Sequence, residues 1–357
     1  MKTLATPSSN LNVRGIEALP TPASLIADLP GTDAVIETVR RSREEIRAVL
    51  NGVDDRLLVI VGPCSIHDPA AGLEYARLLA DAAQLHRQNL LVVMRAYFEK
   101  PRTTVGWKGL INDPHLDGSH DIAAGLRTAR QFLGDVAQLG LPVGTEFLEP
   151  ISPQYIADLV SWGAIGARTT ESQIHRQLSS GLSMPVGFKN GTDGGISVAL
   201  DACAAAGVPQ AFLGVDDDGR AALVSTTGNP DTHLILRGGS DGPNYGSDSV
   251  ASASSRLAAA GLNERLIVDA SHANSGKDHR RQAEVARELA DAVAVSDRIA
   301  GVMLESFLVE GAQKLDVTNR GDLVYGQSVT DACMGWGTTA SVLGDLARGV
   351  RRRRAES

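Results

Sequence analysis

Cations and metal-capable side chains recur in this chain at or just past the ends of short apolar runs. In order, the positions are Cys64, Arg95, Glu146, Arg168, Lys189, Arg237, Asp269 with His272, and Glu305. Arg presents a planar fork that matches carboxylate and phosphate oxygens, and Lys adds a compact charge. Brought to one place, Arg95, Arg168, Lys189 and Arg237 would bind a small substrate carrying both groups. Cys64, His272 and Glu305, with Asp331 in the loop after the last run, offer a thiolate, an imidazole and two carboxylates. Taken singly, a buried Cys or His is an ordinary core residue. As a converging set the four suit Mn²⁺, Fe²⁺, Co²⁺ or Zn²⁺ better than Mg²⁺, and nothing in the residues chooses among those metals. The segment Lys100-Pro101-Arg102-Thr103 follows the second run and could hold another phosphate, although taken alone it also reads as an ordinary loop.

These residues need elements that deliver them to one mouth. The apolar runs are Leu57–Val61, Leu90–Met94, Pro142–Phe147, Gly163–Ala167, Pro185–Phe188, Thr232–Leu236, Arg265–Val268 and Ile299–Leu304. Helical patterns separate most of them, as in Pro69–Leu85, Ile122–Leu139, Ser249–Ala260 and Asp278–Val295. Continuous apolar runs with helical connectors predict a parallel sheet buried on both faces. Eight of them predict an α/β chain folded as a (β/α)₈ TIM barrel, with a doubly wound open sheet as the alternative. In such a barrel, catalytic groups sit at the C-terminal ends of the strands.

Two stretches depart from the repeat. Residues 1–52 read as an arm followed by one amphipathic helix, Thr32–Gly52, with Val35, Ile36, Val39, Ile46 and Leu50 in its apolar stripe. The arm is expected to be ordered only where something holds it. Ala211–Ser225 has two β-like segments around a Gly-containing turn, a hairpin inserted between the fifth and sixth strands. The catalytic barrel is then 53–357, with the hairpin 211–225 as an addition.

Bulk properties exclude several classes. A net charge of −8 argues against a nucleic-acid binder, so any anion site must be a local concentration of positive charge. The only basic run, Arg351–Arg354, reads as a solvated helix end. Three scattered cysteines imply no disulfide framework and fit a reducing cytoplasm. No secretory h-region and no 18-residue apolar run is seen, so no membrane partner is expected.

The strings VGPCSIHDP (61–69), MRAYFEKPRTTVGWKGLINDP (94–114), WGAIGARTTESQ (162–173), PVGFKNGTDG (185–194), ILRGG (235–239), SHANSGK (271–277), ESFLVEG (305–311) and SVTDACMGW (328–336) carry a resemblance. They resemble type I 3-deoxy-D-arabino-heptulosonate 7-phosphate (DAHP) synthases of the phenylalanine/tyrosine-regulated kind, over residues 12–350. That resemblance implies a metal-dependent condensation of phosphoenolpyruvate with erythrose 4-phosphate, giving DAHP and phosphate, the first step toward aromatic amino acids. It places phosphoenolpyruvate on Arg95, Lys100, Glu146, Gly166, Ala167, Arg168, Lys189 and Arg237. It places erythrose 4-phosphate on Lys100, Pro101, Arg102 and Thr103, and the metal on Cys64, His272, Glu305 and Asp331. The catalytic set it implies is Lys100, Cys64, His272 and Glu146, with either Glu146 or a metal-bound water as the group activating the attacking water. Phe307 stands where some relatives carry His or Asn, a difference expected to tune the metal without removing the activity.

The resemblance also implies an effector site for an aromatic amino acid beside the hairpin, at Pro150, Gln154, Leu182, Ser183, Phe212, Gly214 and Val224. Gly214 leaves room for a phenolic hydroxyl where phenylalanine-sensitive relatives tend to have Ser, so tyrosine is the expected inhibitor. A homodimer or homotetramer is expected, because arms and hairpins usually bury themselves against a neighbour. The competing readings are a paralogue serving a secondary-metabolite pathway, acting on the same or an amino-substituted sugar, and a barrel that senses metabolites without catalysis. The filled ligand and cation positions count against the second.

Overall fold

A computed structural model describes residues 9–102, 106–316 and 320–356. Its strands are β1 (Leu57–Gly62), β2 (Leu90–Arg95), β3 (Val143–Glu146), β4 (Trp162–Ile165) and β5 (Val186–Lys189), followed by the hairpin β6 (Ala211–Val215) and β7 (Ala221–Ser225). Then come β8 (Thr232–Leu236), β9 (Leu266–Asp269), β10 (Ile299–Glu305) and a short parallel pair, β11 (Val309–Ala312) and β12 (Gln327–Ser328). Eight strands close in the order β1-β10-β9-β8-β5-β4-β3-β2, every neighbour parallel. This is the expected TIM barrel, and the open sheet is excluded because each of the eight strands pairs on both edges, leaving no edge strand.

The period of two in each strand divides the core. In β1, Leu58 and Ile60 join an inner cluster with Val93, Trp162, Ala164, Ile235, Ile267 and Met303. Leu57, Val59 and Val61 belong to the outer layer beneath the helices. Both faces are therefore apolar, which is why the strands read as continuous runs.

Helix Asp33–Leu50 adds Ile46, Val49 and Leu50 to the inner cluster and so plugs the barrel at the end remote from the charged strand ends. Thr32 caps it, its hydroxyl accepting from the Val35 amide at 3.3 Å. Burial of a side chain like Ile46 stabilises by roughly 1.5–3 kcal/mol. One expectation needs correction: Ile36 is 45% exposed. It follows Val35 directly and so points about 100° away from the buried stripe.

The arm is partly built. Thr21 caps a helix over Pro22–Asp28, whose Ala23 amide donates to Asp217 O in the turn between β6 and β7. Arg130, almost wholly buried on helix Ile122–Gln138, ties this region together. It donates to Leu29 O at 2.8 Å, to Tyr155 O at 2.9 Å and to both oxygens of Asp158 at 2.6 and 2.8 Å. The basic run closes helix Trp336–Glu356, where Arg352 pairs with Asp291 and Arg354 with Asp55, as expected of a helix end. That helix packs on helix His279–Val295 at Gly349, where a Cβ would lie 2.3 Å from Ala290 O. All three cysteines are buried and free, and no helix among the described residues is long and apolar enough to cross a membrane.

Candidate active site

The strand ends deliver what the spacing promised. Arg95, Glu146, Lys189, Asp269 and Glu305 are the last residues of β2, β3, β5, β9 and β10. Arg237 directly follows β8, Cys64 lies two residues past β1, and Arg168 three past β4. Cys64, Arg95, Glu146, Arg168, Lys189 and Arg237 line a cavity of ≈ 290 Å³ at the barrel mouth, while Asp269 and Glu305 are buried outside its lining and pair with Lys189 and Arg95. Of the residues named for the substrates, Arg95, Lys100, Pro101, Arg102, Glu146, Gly166, Ala167, Arg168, Lys189 and Arg237 line it, as do Cys64, His272 and Asp331. Thr103 lies outside the described residues. Thr192, Lys277 and Thr330 also line the cavity and were not singled out, although each falls within a string that carries the resemblance.

The metal-capable groups form a tighter subset. Ligand atoms of Cys64, Glu305 and Asp331 all lie within 4.8 Å of one another. His272, expected as a fourth ligand, falls outside that group, with Nε2 3.9 Å from Glu305 Oε1. Its orientation is set by Asp269 and Ser271. Ser271 Oγ donates to Asp269 Oδ1 at 2.5 Å, which uses its proton. Ser271 Oγ and Asp269 Oδ2 then both accept from His272 Nδ1, each at 2.8 Å. Nε2 is left as the free ring nitrogen on the Glu305 side.

Two buried ion pairs support the set. Arg95 donates to Glu305 Oε1 at 2.8 Å, with side chains only 1% and 3% exposed. Its guanidinium also reaches the carbonyls of Pro63 and Cys64 and lies 3.6 Å from the centre of the Tyr97 ring. Lys189 Nζ donates to Asp269 Oδ2 at 2.8 Å. Burial pushes the Glu305 carboxyl up, but Arg95, His272 and Lys100 outweigh it and hold it at about 2. Burial likewise opposes ionisation of Asp269, and His272 and Lys189 still hold it well below the usual carboxylate range. Burial and the nearby Glu305 carboxylate raise the Cys64 thiol, whose Sγ accepts from Lys100 Nζ at 3.0 Å. Two carboxylates, a thiol beside an ammonium and an imidazole with one fixed free nitrogen are a donor set that fits a divalent transition metal. Glu146 sits close under the Gly166 backbone, where a Cβ would lie 2.2 Å from Glu146 Oε1, so any larger residue at 166 would push the Glu146 carboxylate out of its place.

The residues expected at an effector site fall into two groups. Phe212 and Val224 are cross-strand partners on the half-buried face of the hairpin, and a Cβ at Gly214 would lie 2.6 Å from Val224 Cγ2. Leu182 ends helix Gln173–Gly181 and Ser183 follows it; Ser180 of that helix is hydrogen-bonded to Thr226 just past β7 at 2.7 Å. Pro150 precedes the short helix Pro153–Ile156, which carries Gln154. The arm spans both groups, since Tyr155 donates to Pro20 O at 2.8 Å and Ala23 donates to the hairpin turn.

The sequence pattern of the DAHP synthetase I family matches residues 34–344. The chain belongs to this family. A phospho-2-dehydro-3-deoxyheptonate aldolase of Corynebacterium glutamicum is 57% identical over 357 residues, covering 98% of this chain and 97% of that protein. The Phe-sensitive phospho-2-dehydro-3-deoxyheptonate aldolase of Escherichia coli K12 is 53% identical over 349 residues, covering 97% of this chain and 99% of that protein. A solved phospho-2-dehydro-3-deoxyheptonate aldolase from Francisella tularensis superposes with a TM-score of 0.94 at 48% identity, covering 96% of this chain and 100% of that one. The DAHP synthetase I barrel is thus matched along nearly its whole length, hairpin included.

Proposed function

We propose that this chain is a metal-dependent DAHP synthase, condensing phosphoenolpyruvate with erythrose 4-phosphate to DAHP and phosphate. The observation that carries the reading is one cavity in which Arg168, Lys189 and Arg237 stand beside Cys64, His272 and Asp331, in a member of the DAHP synthetase I family. Arg168, Lys189 and Arg237, with the Gly166–Ala167 backbone and Arg95 beneath, hold the phosphate and carboxylate of phosphoenolpyruvate. Cys64, His272, Glu305 and Asp331 would hold the divalent cation. Once bound, such a cation supplies Lewis-acid polarisation of the aldehyde oxygen.

C3 of phosphoenolpyruvate then bonds to C1 of the aldose, whose oxygen takes a proton. Lys100, whose Nζ lies 3.0 Å from Cys64 Sγ, is placed to hydrogen-bond that oxygen and supply the proton. Water adds at C2, and the C2–O bond breaks to release phosphate. The fixed cations stabilise the charge that develops on the way. Pro101, Arg102 and Thr103 receive the aldose phosphate, and Glu146 frames the reacting carbons. The decisive assay follows phosphoenolpyruvate loss and DAHP formation with erythrose 4-phosphate present. Activity should vanish with a chelator and return with Mn²⁺, Fe²⁺, Co²⁺ or Zn²⁺; turnover untouched by chelation would overturn the metal role.

The same reading divides the chain into a regulatory arm and helix (1–52) and the barrel (53–357). The arm, the hairpin and Pro150–Gln154 form an effector site, with tyrosine favoured by Gly214, in a homodimer or homotetramer working in the cytoplasm. Initial rates with equimolar Tyr, Phe and Trp test the effector, and inhibition by Phe or Trp alone rejects tyrosine.

A further inference from the structure

Five residues other than Gly adopt positive φ among the described residues: Asn10, Leu116, His120, His272 and Lys277. Two of these belong to one loop, the turn after β9, and both line the cavity. A side-chain-bearing residue in the left-handed region is strained, and such strain persists only where the surroundings over-determine it. At φ 57° His272 is held by Asp269 and Ser271, as described above. Lys277, at φ 64°, follows Gly276 at φ 61°, and its amide donates to His272 O at 2.6 Å. The loop is thus closed on itself, and Asp278 immediately caps helix His279–Val295 by accepting from the Arg280 and Arg281 amides.

Charge pairing separates Lys277 from its neighbours. Arg280 faces Glu310, and Arg281 pairs with Glu284 and Glu288. Lys277 makes no ion pair among the described residues, and its strained backbone directs it to the cavity wall shared with His272 and Asp331. Arg95 and Lys189 are already neutralised by Glu305 and Asp269 deep in the barrel. Lys277 is exposed at the rim, as Arg102 is, so these two stand in the outer layer of the mouth.

We propose that Lys277 is a further substrate-binding residue, whose ammonium engages the oxygens of the phosphorylated aldose as that substrate extends outward from the His272–Asp331 wall. The ligand chemistry is a phosphate monoester with adjacent hydroxyls. This rests on the reading of the barrel as a DAHP synthase.

The test uses the full-length, metal-loaded enzyme with each substrate varied in turn. Lys277→Met should raise KM for erythrose 4-phosphate about tenfold, as expected for loss of one charge-assisted contact, while KM for phosphoenolpyruvate moves less than twofold. Lys277→Arg should restore part of the loss. Lys277→Gly removes the ammonium and relieves the strained backbone together, so it should melt no lower than the wild type and yet show the same KM increase. An unchanged KM for erythrose 4-phosphate in the Gly variant, or an increase confined to phosphoenolpyruvate, overturns the assignment. Failure of the wild-type enzyme to form DAHP would instead sink the reading on which it rests.

Discussion

Asp269 holds His272 through Nδ1 at 2.8 Å, and the same carboxylate oxygen accepts from Lys189 at 2.8 Å. One buried carboxylate therefore orients a proposed metal ligand and a proposed phosphate-binding cation. In Asp269→Asn the amide keeps the shape, but it offers only one acceptor oxygen and no charge. His272 then loses its preferred tautomer, and Lys189 is left buried without a counter-charge. Supporting groups of this kind typically contribute 10–100-fold to metal affinity. Metal titration of the variant should show weakening in that range together with a higher KM for phosphoenolpyruvate. Wild-type affinity for both would show that Asp269 is only a core ion pair.

Arg95 invites a different substitution. Its pair with Glu305 is almost fully buried, and its guanidinium rests on the Tyr97 ring. Removing one partner of such a pair leaves an uncompensated charge and costs about 3–5 kcal/mol. Arg95→Met should therefore lower the melting temperature sharply, and the double variant Arg95→Met/Glu305→Gln should recover part of the loss. If the double variant is no more stable than the single one, the pair is not what Arg95 stabilises.

The barrel was legible because parallel strands buried on both faces leave continuous apolar runs, and Thr232–Leu236 matches β8 residue for residue. Helix Gln173–Gly181 was not marked; its sequence, QIHRQLSSG, buries only one face and has few apolar residues to reveal a period. The charged strand ends were visible as residue types, but their partners were not. That Asp269 serves both His272 and Lys189 depends on distances across β5 and β9, which no local spacing encodes. Lys277 was hidden for a related reason. Its aim comes from a positive-φ turn, and an isolated Lys after Gly looks like any solvated loop position.

Glu99 gives the protein a measurable pH dependence. Burial raises its carboxyl to about 8, despite hydrogen bonds from Ser152 Oγ at 2.9 Å and the Glu149 amide at 3.1 Å. The folded state therefore holds a proton that the unfolded chain releases near the ordinary carboxylate value of 4.5. Stability from this group is full below that value and is lost as pH rises toward about 8. His233 opposes it at the acidic end. Burial lowers its ring from 6.5 to about 4, so its contribution falls as pH drops through that interval. Between 6.5 and 8 the Glu99 slope stands alone of the two, at most about 1.4 kcal/mol per pH unit. Thermal melts from pH 6.5 to 8.5 should decline in the wild type and flatten in Glu99→Gln. Parallel slopes in the two proteins would exclude Glu99 as the source.

Gly214 tests the effector proposal at a single atom. It lies on the half-buried face of β6 between Phe212 and Val224, and a Cβ there would come within 2.6 Å of Val224 Cγ2. Since that contact is the end of a movable side chain, Gly214→Ser should fold, with Val224 turning aside. The hydroxymethyl group then fills the space proposed for the phenolic hydroxyl of tyrosine. Half-inhibition should require at least about tenfold more tyrosine, the equivalent of one lost or obstructed hydrogen bond, while phenylalanine gains ground. The uninhibited rate should stay within twofold, because the hairpin contributes no residue to the barrel-mouth cavity. Tyrosine inhibition curves that superimpose for the two proteins would place the effector elsewhere.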